Sequence, residues 1–218
     1  MGDRKRAKAW WDVLVGCLCA LLPSPLKCFV YRRCYGWQVG SDVRIGFSLL
    51  LCNRVEIGDR VTVGHFNVFK QLKRLSVGSD CTILNMNYFS GASYENWPCN
   101  LIIGSGTVLT SHHYLDCGGT IHIGEKCTIG GRDTHFWTHS LVFGASSRKL
   151  EWSSIVVGEG SYIGARSMLI GAKLPGETVV AAGSVVTKDY STAGYGILLA
   201  GNPAVEKTRA KAKVANVN

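Results

Sequence analysis

The sequence predicts an all-β solenoid preceded by two short helices. Three observations predict it: a six-residue repeat of an aliphatic residue and glycine, an abundance of β-branched residues, and the absence of Asn-Gly and Asp-Gly hairpin turns. The 218 residues, 46% hydrophobic and 18% charged, suit one globular domain with an appendage. We expect basic helices in residues 1–36, the solenoid in residues 37–205 and a basic tail in residues 206–218.

The N-terminal 35 residues combine a basic start with a short apolar run. The run contains Asp12 and ends at Pro23, and it is too short to cross a bilayer, which takes about 20 residues. We predict helices at about residues 6–21 and 25–34. Seven basic and two acidic residues give residues 1–35 a local net charge of +5. The helices are therefore expected either to lie on an anionic membrane surface or to cover the open end of the solenoid.

The six-residue repeat begins at residue 39. A period of six matches neither the 3.6 residues of a helical turn nor the alternation of an ordinary half-buried strand. Each unit is predicted to form a short strand and a bend, with its aliphatic residue inward and its glycine providing a corner conformation that other residues resist. Three units close a coil of about 18 residues, and coils stack as a solenoid. The pairs are Val39-Gly40, Ile45-Gly46, Ile57-Gly58, Val63-Gly64, Val77-Gly78, Ile103-Gly104, Ile123-Gly124, Ile129-Gly130, Val157-Gly158 and Ile163-Gly164.

The last third of the chain carries the most specific motifs. VVGEGSYIGARSML is followed by VVAAGSVVTKD and then by AGNPA at residues 200–204. This ordered set resembles the hexapeptide-repeat acyltransferases, and most closely their sugar O-acetyltransferases, over about residues 39–205. The resemblance implies a left-handed parallel β-helix, a homotrimer, and acetyl transfer from acetyl-CoA to a sugar hydroxyl in surface polysaccharide biosynthesis. The basic, apolar N-terminus suggests the hypothesis that the acceptor is a lipid-linked glycan at the inner membrane face.

A candidate base lies in the segment THFWTHS, residues 134–140. Acetyl transfer from a thioester to a hydroxyl needs a group that takes the alcohol proton, and neutral imidazole suits this role. In the family that this chain resembles, the catalytic histidine follows Thr or Gly and precedes an external loop. Thr138 and His139 match that position, and residues 140–155 interrupt the repeat as the loop does. The resemblance therefore implies that His139 is the base.

His135 lies four residues before His139, a spacing that would place both imidazoles on one face of a helix. The six-residue period removes the helix and, counted on from Ile129, places His135 on the inward register as a structural residue. We predict no metal site. A zinc enzyme similar to the γ-class carbonic anhydrases stays open as an alternative because His112 and His113 are also near in sequence.

The acceptor site is expected to draw on residues 110–118. The resemblance places Asp116 at an acidic position that binds the acceptor sugar, and Ser111 near a polar acceptor contact. His113 is expected to orient the acceptor, or to be the base if the register is shifted. Trp137, beside the predicted base, belongs to the same predicted acceptor site. The predicted specificity loops are residues 85–100 and 140–155, with Tyr94, Trp97 and Trp152 as rings that can stack on sugars.

The resemblance also implies a coenzyme A groove between subunits along the later coils. The matching coenzyme-binding positions are Tyr162, Ala165, Ala182, Thr187 and Lys188. Small side chains let the pantetheine arm approach the backbone, and Lys188 offers charge to a phosphate. The family's arginine after Asn-Pro-Ala is missing, because Val205 stands there. Lys207 or Arg209 is expected to supply that phosphate contact.

The net charge limits the kinds of binding partner that are expected, and the cysteines indicate the cellular compartment. A net charge of +9 suits nucleic acid, a membrane surface or an anionic small molecule, but no nucleic-acid motif accompanies it, so no nucleic-acid partner is expected. Nine scattered cysteines without a CxxC motif predict reduced thiols in a cytoplasmic protein. An N-acetyltransferase acting on an amino sugar nucleotide and a non-catalytic β-helix binding protein remain alternatives.

Overall fold

The computed structural model describes residues 2–144 and 148–207, without the side chains of residues 2–10 and of Asp12. Two helices precede a series of short strands in this part of the chain. The strands are β1 (Gln38–Val39), β2 (Arg44–Ile45), β3 (Leu49–Ile57), β4 (Thr62–Val63), β5 (Val68–Val77), β6 (Thr82–Ile83), β7 (Tyr88–Ser90), β8 (Asn100–Ile103), β9 (Val108–Leu109), β10 (Tyr114–Asp116), β11 (Thr120–Ile123), β12 (Thr128–Ile129), β13 (His135–Trp137), β14 (His139–Phe143), β15 (Arg148–Trp152), β16 (Ile155–Val157), β17 (Tyr162–Ile163), β18 (Met168–Ile170), β19 (Lys173–Leu174), β20 (Val179–Val180), β21 (Val185–Val186), β22 (Leu198–Gly201) and β23 (Ala204–Lys207).

Parallel pairing between successive coils builds the body of the molecule. The strands form a 12-stranded and a 9-stranded curled sheet, and β7, β10 and β13 are consecutive rungs of the larger one. Their middle residues, Phe89, Leu115 and Phe136, point inward and are fully buried, so each rung stacks on the next. The all-β, left-handed parallel β-helix expected from the repeat and the resemblance is confirmed.

The glycine of the aliphatic-glycine pair serves a different purpose from the one predicted. A Cβ on Gly58 would lie 2.6 Å from the backbone nitrogen of Ser79 in the next coil, closer than real Cβ contacts. The left-handed backbone conformation falls two residues later, at Arg60 in this coil and at Asp80 in the next. Glycine is therefore required here because adjacent coils approach closely, and a side chain would push them apart.

Both predicted helices are present, as α1 (Gly2–Leu21) and α2 (Ser24–Arg33). They pack on the β-helix: a Cβ on Gly16 would lie 2.7 Å from the Leu51 side chain. The fully buried Lys27 donates from Nζ to the carbonyl oxygens of Ala20 at 2.9 Å and of Ile45 at 3.3 Å, and also to that of Gly46. Burial lowers the pKa of Lys27. In the described region, neither helix is long and apolar enough to cross a bilayer.

The predicted inward position of His135 is wrong by one residue. Phe136 is fully buried and pairs with Leu115 of the preceding coil, whereas His135 is half-buried on the outer side of the same strand. The segment before β13, residues 130–134, holds one residue more than the equivalent segments of the neighbouring coils, residues 110–113 and 164–167. This extra residue shifts every side chain of β13, since neighbouring positions on a strand face opposite sides.

In its described parts, residues 140–144 and 148–155, the predicted external loop (residues 140–155) contains the two paired strands of a hairpin. Strands β14 and β15 pair antiparallel, with His139 opposite Trp152 at the base. The Ser153 N–H donates to the Thr138 carbonyl oxygen at 2.6 Å and closes that base. The chain therefore leaves the β-helix directly at the predicted catalytic histidine.

Candidate active site

His139 and Asp116 form a hydrogen-bonded pair at the base of the hairpin. His139 Nδ1 lies 2.6 Å from Asp116 Oδ2. The Asp116 side chain is 7% exposed, whereas that of His139 is 35% exposed. A carboxylate only accepts hydrogen bonds, so the imidazole proton is held on Nδ1 and Nε2 keeps its lone pair. Among the described residues, no group bonds to Nε2, which leaves it able to take a proton.

Thr138 fixes the carboxylate of Asp116. The Thr138 N–H donates to Asp116 Oδ2 at 3.1 Å, and its hydroxyl lies 2.7 Å from the Asp116 carbonyl oxygen. The same hydroxyl accepts the Gly119 N–H at 2.7 Å. The sequence assigned Asp116 to the acceptor sugar, whereas in the structure its Oδ2 is occupied by His139 and Thr138. Asp116 is thus placed to orient the imidazole.

Trp97 forms a wall beside His139. Their ring centroids are 5.7 Å apart, and the indole lies over Gly118. Lys73 holds the loop that carries Trp97, because its Nζ donates to the Trp97 carbonyl oxygen at 2.6 Å. Trp97 is only 9% exposed, whereas the neighbouring ring of Tyr94 is 54% exposed. Of these two predicted stacking residues, Tyr94 is therefore the more accessible to a ligand.

Replacing Gly118 by alanine is expected to destabilise the fold around Trp97. The new Cβ would lie 2.8 Å from two carbons of the indole, and such overpacking costs about 1–3 kcal/mol. Urea unfolding followed by tryptophan fluorescence checks this expectation. Gly194→Ala is the matched control, because its Cβ meets open space. Equal stability of the two variants would contradict the close contact.

An aromatic surface extends from the predicted base along the outer side of β13, β10 and β7. Trp137 meets His139 edge-on, with ring centroids 6.4 Å apart. Tyr114 follows at 5.1 Å from Trp137, and Tyr88 stacks on Tyr114 at 5.5 Å. Trp137, which the sequence assigned to the acceptor, therefore lies next to His139 on a half-buried surface that suits the apolar face of a sugar ring.

His113 lies in the interior and does not open onto the pair. It is 1% exposed, and the Thr134 N–H donates to its Nδ1 at 3.3 Å. Its Nε2–H therefore donates to Thr110 Oγ1, 2.9 Å away. Burial lowers the pKa of His113 to about 4. Both ring nitrogens are used within the protein, so the structure gives His113 a structural environment.

Stability is expected to depend on pH through His113. Its pKa is lowered from about 6.5 to about 4 on folding, so below pH 6.5 the unfolded chain binds the additional proton. The free energy of unfolding should fall by up to roughly 3 kcal/mol as the pH is lowered from 6.5 to 4. Urea unfolding at several pH values measures the slope. His113→Gln should flatten it, and an unchanged slope would contradict this assignment.

Ser111 lies at the other end of β10 from Asp116. Its Oγ accepts the Asn85 N–H at 3.1 Å, so it links two corners of successive coils. His112 beside it has a left-handed backbone, with φ 64°. In the described ranges, no three His, Cys, Asp or Glu side chains come together as a metal site.

The predicted coenzyme residues Ala165 and Ala182 come together in a surface groove at the corner before β13, β18 and β21. Gly131 completes the column, and a Cβ there would collide with the Cβ of Ala165. Arg132, Asp133 and Arg166 line the same groove and were not identified from the sequence, and Arg166 Nε lies 3.8 Å from Asp133 Oδ2. Small residues suit the close approach of a thin ligand arm, and a guanidinium suits a phosphate, but Arg166 already has a carboxylate partner.

The other predicted coenzyme residues are dispersed over the later coils. The exposed Tyr162 ring lies over Gly130, where a Cβ would meet it at 2.8 Å. Thr187 and Lys188 are exposed directly after β21. Lys207 is exposed at the end of β23, which extends paired structure two residues past the predicted boundary at residue 205. Arg209 lies outside the described residues.

Comparison with known proteins identifies the fold. No family model matches the chain, and no curated protein matches its sequence. A UDP-N-acetylglucosamine acyltransferase from Campylobacter jejuni superposes with a TM-score of 0.59 at 14% identity, over 78% of this chain and 62% of that one. The chain has the hexapeptide-repeat β-helix fold. The polySia-specific acetyltransferase NeuO shares this β-helix, with a TM-score of 0.57 at 18% identity, over 83% of this chain and 80% of that one.

The hexapeptide-repeat β-helix of this chain spans less than two thirds of the length of the Campylobacter jejuni enzyme. Both structures are named for acyl or acetyl transfer. At identities below 20% the likeness concerns the fold. The functional argument therefore depends on the residues of this chain, above all on His139 and Asp116.

Proposed function

We propose that this protein is an acetyl-CoA-dependent O-acetyltransferase that acts on a sugar hydroxyl. The observation that carries the proposal is the 2.6 Å contact between His139 Nδ1 and Asp116 Oδ2, which leaves Nε2 as a base at a partly open position. Aromatic rings beside it suit a sugar. The motifs of the later coils support coenzyme A as the donor, and the fold is one that two named acyl or acetyltransferases share.

With this geometry, the acetyl group is proposed to pass directly from acetyl-CoA to the acceptor hydroxyl, without a covalent enzyme intermediate. His139 Nε2 takes the proton of the acceptor hydroxyl while the oxygen attacks the thioester carbonyl, giving a tetrahedral intermediate. The intermediate collapses, the carbon–sulfur bond breaks, and the imidazolium returns the proton to the leaving thiolate. Asp116 stabilises the imidazolium and keeps its ring in place throughout. The products are the acetyl ester and coenzyme A.

The donor is proposed to lie along the groove of Gly131, Ala165 and Ala182. The small residues admit the pantetheine arm, and Arg132 offers a cation to the phosphates, whereas Arg166 would exchange its 3.8 Å contact with Asp133 for a phosphate. Thr187, Lys188 and Lys207 are proposed to contact the rest of the coenzyme, as the resemblance implies.

A homotrimer is proposed, with the coenzyme groove between neighbouring subunits. The family resemblance supports this assembly. Sedimentation is expected to give three copies of the chain per particle. A monomer with full acetyl transfer activity would contradict it.

The N-terminal helices are proposed to rest on an anionic membrane from the cytoplasmic side, where a lipid-linked glycan would be acetylated. Their outer surface exposes Leu14, Leu18 and Phe29, and residues 1–35 carry a net charge of +5. Replacing these three residues by glutamine should abolish recovery with phosphatidylglycerol vesicles. Phe66→Gln, an exposed apolar residue of the β-helix, is the control. Undiminished recovery of the triple variant would contradict membrane contact.

The proposed activity is tested by release of coenzyme A thiol from acetyl-CoA in the presence of nucleotide sugars, free oligosaccharides and lipid-linked saccharides. At least one acceptor is expected to raise thiol release well above hydrolysis, and the rate should be lost in His139→Ala. An identical rate for wild type and His139→Ala with every acceptor would contradict the assignment.

A further inference from the structure

A second pocket lies on the same side of the molecule as His139, at the N-terminal end of the β-helix. It opens between α1 and the first coils and is lined mainly by apolar side chains. Trp11 and Val15 come from the helix, and Leu51 from β3. Among the described side chains that line it, Lys70 of β5 provides the cation. Within the described part of the chain, no carboxylate pairs with the Lys70 ammonium.

This pocket is in register with the catalytic pair. Leu51 pairs with Lys70, Lys70 with Ser90, and Ser90 with Asp116, all in parallel ladders. Neighbouring strands lie about 4.8 Å apart, so the backbone positions of Lys70 and Asp116 are roughly 10 Å apart. Paired residues of a parallel ladder face the same side of the sheet, so one outer column runs from the apolar pocket to the residue that orients His139.

The loop of residues 91–99 connects the two ends of this column. Gln71, which lines the pocket, donates from Nε2 to Ser93 Oγ at 3.0 Å. Gln71 is also the extra residue where β5 bulges against β3, with φ 58°. Further along the loop, Trp97 contacts His139. One loop therefore borders both the pocket and the predicted base. The bulge at Gln71, next to this loop, bends strand β5 there.

We propose that the pocket binds the hydrocarbon chain of a lipid-linked acceptor, with the phosphate of that acceptor on Lys70 and its sugar at His139. The apolar lining matches a hydrocarbon chain, and the Lys70 ammonium, which pairs with no carboxylate among the described side chains, matches a phosphate. The outer column leads from there to the base. This inference rests on the proposed function and deepens it, because it makes the acceptor an amphipathic saccharide phosphate instead of a free sugar.

Calorimetric titration of the full-length protein with dodecyl phosphate below its micellar concentration tests the inference. Dodecyl phosphate is expected to bind with one site per chain, and inorganic phosphate and dodecanol at least tenfold more weakly. Lys70→Met should weaken binding about tenfold, since it removes a charged contact while keeping the length of the side chain. Leu51→Trp, which fills the pocket, should abolish binding.

Matched controls separate this pocket from other surfaces. Lys126→Met and Leu84→Trp change exposed residues outside the pocket lining and should bind as wild type. Equal binding by wild type, Lys70→Met and Leu51→Trp would overturn the inference. Equal affinity for inorganic phosphate and dodecyl phosphate would also overturn it, because the chain would then make no contact. If Leu51→Trp lost binding to phosphatidylglycerol vesicles but kept binding to dodecyl phosphate, the pocket would be a membrane contact instead of an acceptor site.

His139→Ala makes failure of this inference distinguishable from failure of the proposed function. The variant is expected to keep dodecyl phosphate binding and to lose acetyl transfer. Transfer to a water-soluble saccharide that depends on His139, without any dodecyl phosphate binding, would overturn the lipid pocket and leave the proposed function intact. Binding without acetyl transfer to any acceptor would refute the proposed function alone.

Discussion

Replacing His139 by alanine is expected to lower kcat for acetyl transfer by about 10²–10⁴, the usual contribution of a positioned general base. Among the described residues, Asp116 Oδ2 is hydrogen-bonded to His139 and Thr138, and of these two only His139 can act as a base towards the acceptor hydroxyl. Steady-state release of coenzyme A thiol measures the effect, and urea unfolding verifies that the variant is folded.

Two other histidines give the controls for this experiment. His135→Ala changes a half-buried residue on the outer side of β13 and is expected to keep most of the activity. His113→Ala removes a buried hydrogen-bonded ring, so its main effect should be on stability. Activity that survives in His139→Ala and disappears in a folded His113→Ala would show that His113 is the base.

Replacing Asp116 by asparagine is expected to lower kcat by roughly 10–10³, because the neutral amide no longer offers a negative charge to the imidazolium that forms in the reaction. The tautomer should be kept, because Oδ2 accepts both the Thr138 N–H and the His139 Nδ1–H, so the asparagine carbonyl oxygen is expected to occupy that position. Nitrogen-15 chemical shifts of His139 report the tautomer directly, and thiol release reports the rate.

Asp80→Asn serves as the control for the charge change, because Asp80 pairs with Arg60 at an exposed corner. It should leave both the tautomer and the rate unchanged. A kcat for Asp116→Asn within a factor of about three of wild type would contradict stabilisation of the imidazolium by the Asp116 charge. Loss of substrate affinity at unchanged kcat would return Asp116 to the acceptor-binding role that the sequence suggested.

The sequence predicted the architecture because the repeat is a local property. Each aliphatic-glycine pair specifies one strand and one corner, and stacking follows from repetition. The reason for the glycines was different from the one predicted, since at Gly58 the next coil lies too close for a side chain. The distance between adjacent coils is a property of the tertiary structure, so the sequence of a single repeat does not predict it.

The sequence predicted which residues form the candidate site better than it predicted the contacts between them. His139 and Asp116 were both predicted as site residues, but the extra residue in the segment 130–134 decides which side chains of β13 face outward. The position of Trp97 over Gly118 depends on Lys73, which holds its loop from a different coil. Such contacts join residues of separate coils, and no spacing within the sequence specifies them.

Mass spectrometry of the acceptor after incubation with acetyl-CoA tests the central claim most directly. Wild-type protein is expected to add 42 Da, about the mass of one acetyl group replacing a hydrogen, as a base-labile ester on a saccharide. His139→Ala should give no such product at equal protein concentration. A base-stable amide on an amino sugar, or an ester formed equally by both proteins, would contradict the account.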